Sequence, residues 1–362
     1  MMDSIPALAE ALALVPSFAG ISPGKLEPLP TTGLAHDHIR ISGTGRLLRV
    51  PRQSQMRLDA ARNLDYQAAC FGRASAGGHA PRYFGQIRPC PGLPMGALIV
   101  EEIIGAPVKL PEGLPEVARA LASIHALPVP PAAERAPLAD PGDAYAATLE
   151  EVRDHARHLD AAALEQDARR MIEAEIDAAA RHAGAMEDAP PTTLISFDAH
   201  PGNFLMDEAN GRAVLVDLEK ARYGAAGFDL AHATLYTSTT WDVATFSDPG
   251  HEAIARFHTR YLDALPGDLA DAQRPHLMAL RRLMWLWSIT WCAKWRVASA
   301  NARRGDKHLA EDTEDWSAEN SADDLVEHVR GRVDHYLTPE VIERVRADWR
   351  SVNPLSDLLG IL

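Results

Sequence analysis

The spacing of apolar residues along the chain changes period several times, and each change predicts an element. Residues 5–15 are Leu/Ala-rich with Glu10 as the one charge, which predicts a short helix buried on most sides. Ser22–Pro30 reads as loop and extended chain, and 31–50 reads as strand, a Gly43-Thr-Gly45 turn, and strand. From Arg57 to Arg73 the period becomes helical, with Leu58, Ala61, Leu64, Ala68 and Phe71 near one face. A strand-like run returns over Ala97–Ile104, and Leu114–Ala126 is an amphipathic helix with a packed histidine, His125. Pro128–Pro141 is loop, and 143–184 reads as two helices whose acids and bases recur at i, i+3, as in Glu150–Arg153 and Asp154–Arg157. Further helices are predicted over 229–237, over 250–264, and through 281–295, where Trp287, Trp291 and Trp295 recur every four residues and share a face. The end, 338–362, reads as a final helix and tail, and the chain carries no internal repeat.

Between these helices lies a different pattern. Two short apolar segments, Phe204–Met206 and Ala213–Val216, flank a polar tip containing Asn210-Gly211, a hairpin signal. Asp198 and Asn203 stand just before the first strand, and Asp217 and Glu219 at the end of the second. Antiparallel pairing brings strand ends together, so these oxygen-bearing side chains are expected to converge. A carboxylate that orients a hydroxyl, with an amide oxygen and a second carboxylate for Mg²⁺, is the inventory of a phosphoryl-transfer site. The spacing matches a kinase catalytic loop followed by its metal-binding Asp. The bland alternative is a surface hairpin with solvated acids.

These residues carry a family resemblance. Ser196-Phe-Asp198-Ala-His200-Pro-Gly-Asn203 resembles the H-G-D-x-H-x-x-N box of aminoglycoside phosphotransferases and choline kinases, with Ser196 where the family has a loop-supporting His. Val216-Asp217-Leu-Glu219 resembles their I-D-[FW]-E, and Gly227-Phe-Asp229-Leu-Ala231 their G-x-D-[LI]-[AG], a structural helix start. Leu47-Leu-Arg49 is similar to the L-L-R of choline kinases, and Ala97–Gly105 to the strand that enters the hinge. The resemblance implies an α+β, two-lobed protein-kinase-like fold. It has a small N-terminal lobe with an antiparallel sheet (1–102) and a larger, mostly helical C-terminal lobe (103–362) with a helical insertion at about 143–188.

The resemblance also implies roles. Asp198 is the expected catalytic base or orienter, and Asn203, Asp217 and, with lower rank, Glu219 the expected Mg²⁺ ligands. ATP phosphates are expected at Arg49, oriented by Asp65 on the following helix, with Asp59 as the other acid there, and under a loop containing Gly33. Backbone groups near Glu101–Ile103 are expected to meet the adenine. Leu286-Trp287-Ser288-Ile289 resembles the L-W-S-I run of choline kinases, whose aromatic faces enclose a quaternary ammonium. Trp287, Trp291 and Glu219 are therefore expected at the substrate, against the plainer reading of a Trp stripe as core. The acceptor implied is a small hydroxyl compound, cationic, such as choline or ethanolamine. An aminoglycoside or another hydroxylated metabolite is the alternative, and a catalytically silent nucleotide-binding protein is the alternative of another class.

Composition narrows this little. The chain has 362 residues, 46% hydrophobic and 24% charged, which suits a soluble protein with two lobes. Its net charge of −14 lacks the basic face that nucleic-acid binding needs and suits a cationic substrate. Cys70, Cys90 and Cys292 match no zinc or redox spacing and read as reduced thiols, so the expected compartment is the cytoplasm. The first twenty residues lack the basic start of a signal peptide, and no apolar run approaches a membrane span. The acidic segment 306–327 reads as a solvated loop, with a mobile lip over a cation site as the sharper alternative.

Overall fold

The computed structural model describes residues 5–30, 35–303 and 323–362. Gly33 and most of the acidic segment 306–327 lie outside the described residues. The first lobe contains α1 (Ile5–Ala13), β1 (Leu26–Pro28), β2 (His36–Ile41), β3 (Arg46–Pro51), α2 (Ala60–Ala74), β4 (Tyr83–Ile87) and β5 (Ala97–Glu101). Among the described residues the strands form one antiparallel sheet in the order β1-β2-β3-β5-β4. Side chains alternate across it. Leu48 and Ile99 face α1, where Leu8 and Leu12 complete a small core. Leu98 and Val100 face α2 and meet Leu64 and Phe71. The same alternation turns Arg49 to the α2 side, where its guanidinium lies 5.6 Å from the Phe71 ring centre. Helix α2 starts later than its apolar period suggests, because the Asp59 side chain caps it by accepting from Arg62 N at 2.9 Å. Such a cap contributes about 1 kcal/mol.

The second lobe begins with β6 (Gly105–Pro107) and α3 (Leu114–His125), followed by the helix pair α4 (Ala144–Ala156) and α5 (Gln166–Ala185). Then come β7 (Thr192–Ile195), β8 (Phe204–Asp207), β9 (Ala213–Leu215) and β10 (Arg222–Ala225). The rest is helical: α6 (Gly227–Thr234), α7 (Tyr236–Thr239), α8 (Gly250–Ala264), α9 (Gly267–Gln273), α10 (Leu277–Arg303), α11 (Asp323–Tyr336), α12 (Pro339–Arg350) and α13 (Pro354–Leu359). The chain end thus forms two helices after Tyr336 rather than one, with a capping box at Asn353 opening the last. No helix among the described residues is long and apolar enough to cross a membrane.

Strand β6 lies against β8, which pairs with β9, so the linker from the first lobe is stitched directly to the hairpin. Gly105 permits this approach: a Cβ there would sit 2.1 Å from Met206 O, closer than any side chain tolerates. Helix α10 runs through the core of this lobe against α4 and α6. The tryptophans of its period-four stripe differ: Trp295 is buried, while Trp287 and Trp291 are half-buried, and the off-stripe Trp285 is the one sealed against Trp349. Buried Glu175 on α5 accepts from Arg282 Nε at 2.6 Å, Arg346 Nε at 2.9 Å and Trp349 Nε1 at 3.1 Å. That shared carboxylate fixes how α5, α10 and α12 meet. The i, i+3 pairs on α4 and just beyond it, Glu150–Arg153 and Asp154–Arg157, form as expected on its exposed face, where each is worth little.

Candidate functional site

The hairpin forms in the register Phe204↔Leu215, Leu205↔Val214, Met206↔Ala213. Its tip is longer than a two-residue turn: only Gly211 of the Asn-Gly pair is left-handed, at φ +67°. At the root, Val216 N donates to Asn203 O at 2.9 Å, which ties the residue before Asp217 to Asn203. Asn203 Nδ2 donates to Asp198 O at 2.7 Å. Asp198, Asn203 and Asp217 are therefore linked neighbours, as antiparallel pairing requires. Ser196 takes over loop support with its hydroxyl, which accepts from Asp198 N at 3.3 Å and donates to Asp217 O at 3.5 Å.

The loop before Asp198 is held by a fully buried carboxylate. Asp229, in the first turn of α6, accepts from Ser196 N at 2.7 Å and from Phe197 N at 2.8 Å. Its Oδ2 also lies 3.2 Å from His125 Nε2, which gives the histidine of α3 its packing role. Between these bonds Phe197 is bent to φ +58°, a left-handed conformation at the place where the resembled box has glycine. A non-glycine residue pays about 1–2 kcal/mol there. Compensation comes from its buried ring, stacked under the Arg222 guanidinium at 3.8 Å and edge-on to Trp287 and Phe228 at 5.5 and 5.9 Å. Phe197→Gly and Phe197→Ala should each lose about 3–5 kcal/mol of ring packing. The glycine variant should nevertheless be the more stable of the two by about 1 kcal/mol, the reverse of the usual order. Denaturant midpoints measure this, and an alanine variant at least as stable as the glycine one would refute strain at this residue.

Lys220 is a functional candidate that motif reasoning missed. Its Nζ donates to Asp198 Oδ2 at 2.9 Å, and His232 Nδ1 lies 3.9 Å from Oδ1. Burial pushes the Asp198 carboxyl up, but the Lys220 ammonium, with His200 and His232, more than reverses this and holds it well below the usual carboxylate range. His232 is driven down to about 4, first by burial. Asp198 is thus a carboxylate beside a lysine, with the His232 imidazole kept neutral by burial. The cue in the sequence is only a Lys three residues after Asp217.

Arg49 does not pair with Asp65. Its Nη2 donates to Asp217 Oδ1 at 2.5 Å and to His36 Nδ1 at 3.1 Å, and Nη1 donates to Val216 O at 3.4 Å. Asp65 faces the sheet edge instead, where it accepts from Arg88 at 2.8 Å and Gln86 at 3.0 Å. The helix face that looks toward Arg49 presents Gln67, whose Oε1 lies 3.2 Å from His36 Nε2. Since Arg49 can only donate, His36 Nδ1 accepts and Nε2 carries the proton toward Gln67. Burial, then Arg49, keep His36 well below its ordinary pKa and hence neutral. Glu219 joins this group rather than the tryptophans: it accepts from Gln55 Nε2 at 2.6 Å and lies 3.6 Å from His36 Nε2. The structure therefore places Glu219 with Gln55 and His36 and not against Trp287 or Trp291. Burial and the adjacent Asp217 charge push its carboxyl well above the usual range.

The remaining expected residues fall where the fold puts a linker and a helix face. Glu101 ends β5, with its side chain on Arg82 at 3.1 Å, and Ile103 lies in the linker to β6. Trp287 reaches the loop before Asp198 through Phe197 and donates from Nε1 to Glu151 on α4 at 2.7 Å. Trp291 is one turn further, edge-on to Trp241 at 6.0 Å. Arg222, Phe197 and Glu151 wall a cavity of about 300 Å³ between α4 and the β7–β10 ribbon, and Asp140 and Thr148 also line it.

Residues 32–266 match the sequence model of the phosphotransferase enzyme family. No curated protein matches the chain. Among solved structures, a choline/ethanolamine kinase family protein from Mesorhizobium loti is 16% identical over 99% of this chain and 98% of its own, with a TM-score of 0.58. A choline kinase from Cryptosporidium parvum is 16% identical over 95% and 96%, with a TM-score of 0.58. Aminoglycoside 2'-phosphotransferase-IIIa, solved with GDP, is 16% identical over 91% and 99%, with a TM-score of 0.57. At such identities these likenesses establish the kinase-like fold and not the acceptor.

Proposed function

The chain belongs to the phosphotransferase enzyme family, and from that premise we propose that it is an ATP-dependent small-molecule kinase acting on a hydroxyl of an amine-bearing acceptor. One observation carries the reading: Asp198, Asn203 and Asp217 meet at the root of one hairpin, under an arginine supplied by the other lobe. The residues present fit a magnesium nucleotide. Arg49 Nε is buried without a hydrogen-bond partner, a donor that a phosphate oxygen would satisfy. Asn203 is locked through Nδ2, so its amide offers oxygen, and Asp217 adds a carboxylate, the hard donors Mg²⁺ prefers. Bound there, Mg²⁺ would neutralise charge on the phosphate oxygens.

In this reading Arg49 exchanges its bond to Asp217 for the phosphates, its guanidinium already oriented by His36 and Phe71. Asp198 accepts the hydrogen bond of the acceptor hydroxyl and aims its oxygen, and Lys220 keeps that carboxylate ionised. The backbone near Glu101–Ile103 receives the base. Trp287 and Glu151 supply the aromatic face and negative charge that an amine such as that of ethanolamine or choline requires. The free thiols of Cys70, Cys90 and Cys292 fit the cytoplasm as its compartment.

ADP release across amino alcohols, sugars and aminoglycosides tests this. The expected result is Mg²⁺-dependent turnover of an amine-bearing alcohol. ATP binding seen as a thermal shift, with no ADP release on any acceptor, would instead identify a silent nucleotide-binding protein.

A further inference from the structure

We propose that Tyr66, on the helix of the first lobe, is a positioning residue for Asp198: its hydroxyl holds the turn that presents Lys220 to that carboxylate. The inference rests on the kinase reading above for what Asp198 does, and on hydrogen bonds alone for what Tyr66 does. The turn follows Asp217 directly. Ala221 N donates to Leu218 O at 2.9 Å, which closes residues 218–221 with Glu219 and Lys220 at the two corners. From its corner the Lys220 ammonium reaches Asp198 Oδ2 at 2.9 Å. The end of the turn is anchored from the other lobe. Ala221 is buried, and its carbonyl accepts from the Tyr66 hydroxyl at 2.8 Å, with the Cys70 thiol as a weaker donor at 3.7 Å. The same hydroxyl accepts from Ala139 N at 3.3 Å, and Ala139 O accepts from Tyr223 N at 2.9 Å. Ala221 and Tyr223 are thus joined through Tyr66 and Ala139 in a closed circuit just past Lys220. Burial pushes the Tyr66 hydroxyl up to about 12, so it stays protonated and keeps donating.

The rest of α2 shows why this bond matters. Tyr66, Cys70 and Arg73 lie at i, i+4 and i+7 and share one face of the helix. Arg73 donates to the carbonyls of Glu134, Arg135 and Ala136 at 3.0, 2.6 and 2.7 Å, and to the Tyr223 hydroxyl at 3.0 Å. That face is bonded to the second lobe along its length, while Asp65 is turned to the sheet edge, away from Arg49. Helix α2 therefore takes its orientation from the lobe that carries Asp198, and Tyr66 is the point where it touches the turn behind that carboxylate. A ring without the hydroxyl would keep its packing but leave Ala139 N without a partner and Ala221 O with the thiol alone. The turn could then shift, and with it the ammonium that sets how Asp198 points.

The test is Tyr66→Phe in the full-length protein, which keeps the buried ring and removes only the hydroxyl. The kcat for ADP release should fall about tenfold or more, while the KM for ATP stays within about twofold, because the turn bears on Asp198 and not on Arg49. By hydrogen exchange, the amides of Ala221 and Tyr223 should open about tenfold faster than in the parent. Tyr145→Phe is the comparison. It deletes a buried hydroxyl bonded to a different carbonyl, Ala179 O at 3.4 Å, and should leave kcat and those two amides unchanged. Parental kcat in Tyr66→Phe, or an equal loss in Tyr145→Phe, overturns this proposal and leaves the kinase reading intact. Absence of ADP release by the parent from every acceptor overturns the kinase reading, and unchanged exchange at Ala221 and Tyr223 overturns the hold of Tyr66 on the turn.

Discussion

Asp217→Ala is expected to lower Mg²⁺-dependent ADP release at least about 10³-fold, and Asp198→Ala to lower it by about 10²–10⁴-fold, with both chains still folded. The two losses should differ in kind. In the proposed reading Asp198 orients the acceptor, so its alanine variant should keep the thermal shift produced by magnesium and ATP. In the same reading Asp217 holds the metal, so its variant should lose that shift. They should also differ in stability. Removing Asp217 deprives buried Arg49 of its 2.5 Å partner and leaves it His36 and Val216 O, at a cost of about 1–3 kcal/mol. Removing Asp198 takes one partner from Lys220, whose side chain is a quarter exposed, so the midpoint should move less. Near-wild-type turnover in either variant would contradict the assignment.

The second large effect is expected away from the reacting groups. Asp229→Ala leaves the amides of Ser196 and Phe197 and the imidazole of His125 without their buried acceptor. Each orphaned group costs about 1–3 kcal/mol, so a loss near 3–5 kcal/mol is expected, among the larger effects of a single substitution. Asp229→Asn should recover little of it. The carboxylate accepts on both oxygens, and an amide would turn an N–H₂ toward one of the backbone donors. Because the same bonds hold Phe197 left-handed, turnover at temperatures where the variant stays folded should drop at least about 10²-fold. Urea unfolding and single-temperature kinetics, measured together, separate the two effects. An asparagine variant as stable as the parent would mean that the carboxylate does not hold the loop.

The residue pattern makes some of this plain and hides the rest for physical reasons. Hairpin and D-x4-N spacing are local, so the convergence of Asp198, Asn203 and Asp217 is legible in the order of residues alone, as are the two helices within 143–184 and the helix-start role of Asp229. Arg49 is equally legible because β alternation fixes its side. Its partner is not, since Asp65 and Gln67 differ by half a helical turn and only packing of α2 against the sheet decides which one faces inward. Gln67 takes that place because Asp65 reaches Arg88 at the sheet edge. Glu219 reads as a second site acid, yet its direction depends on Gln55 and His36, both far away in sequence. Lys220 looks like an ordinary charge after a strand, and Phe197 like an ordinary core residue. Their roles lie in an ammonium–carboxylate distance and a backbone angle that no residue pattern encodes.

All seven tryptophans follow residue 240, so tryptophan emission comes from that part of the chain alone, and the β-sheet lobe contributes only tyrosine and phenylalanine. Among the described tryptophans, Trp287 touches the loop before Asp198 through the Phe197 ring, while its indole nitrogen donates to Glu151. The molecule therefore contains an intrinsic dye beside Asp198, which can report whether a ligand enters there without any label.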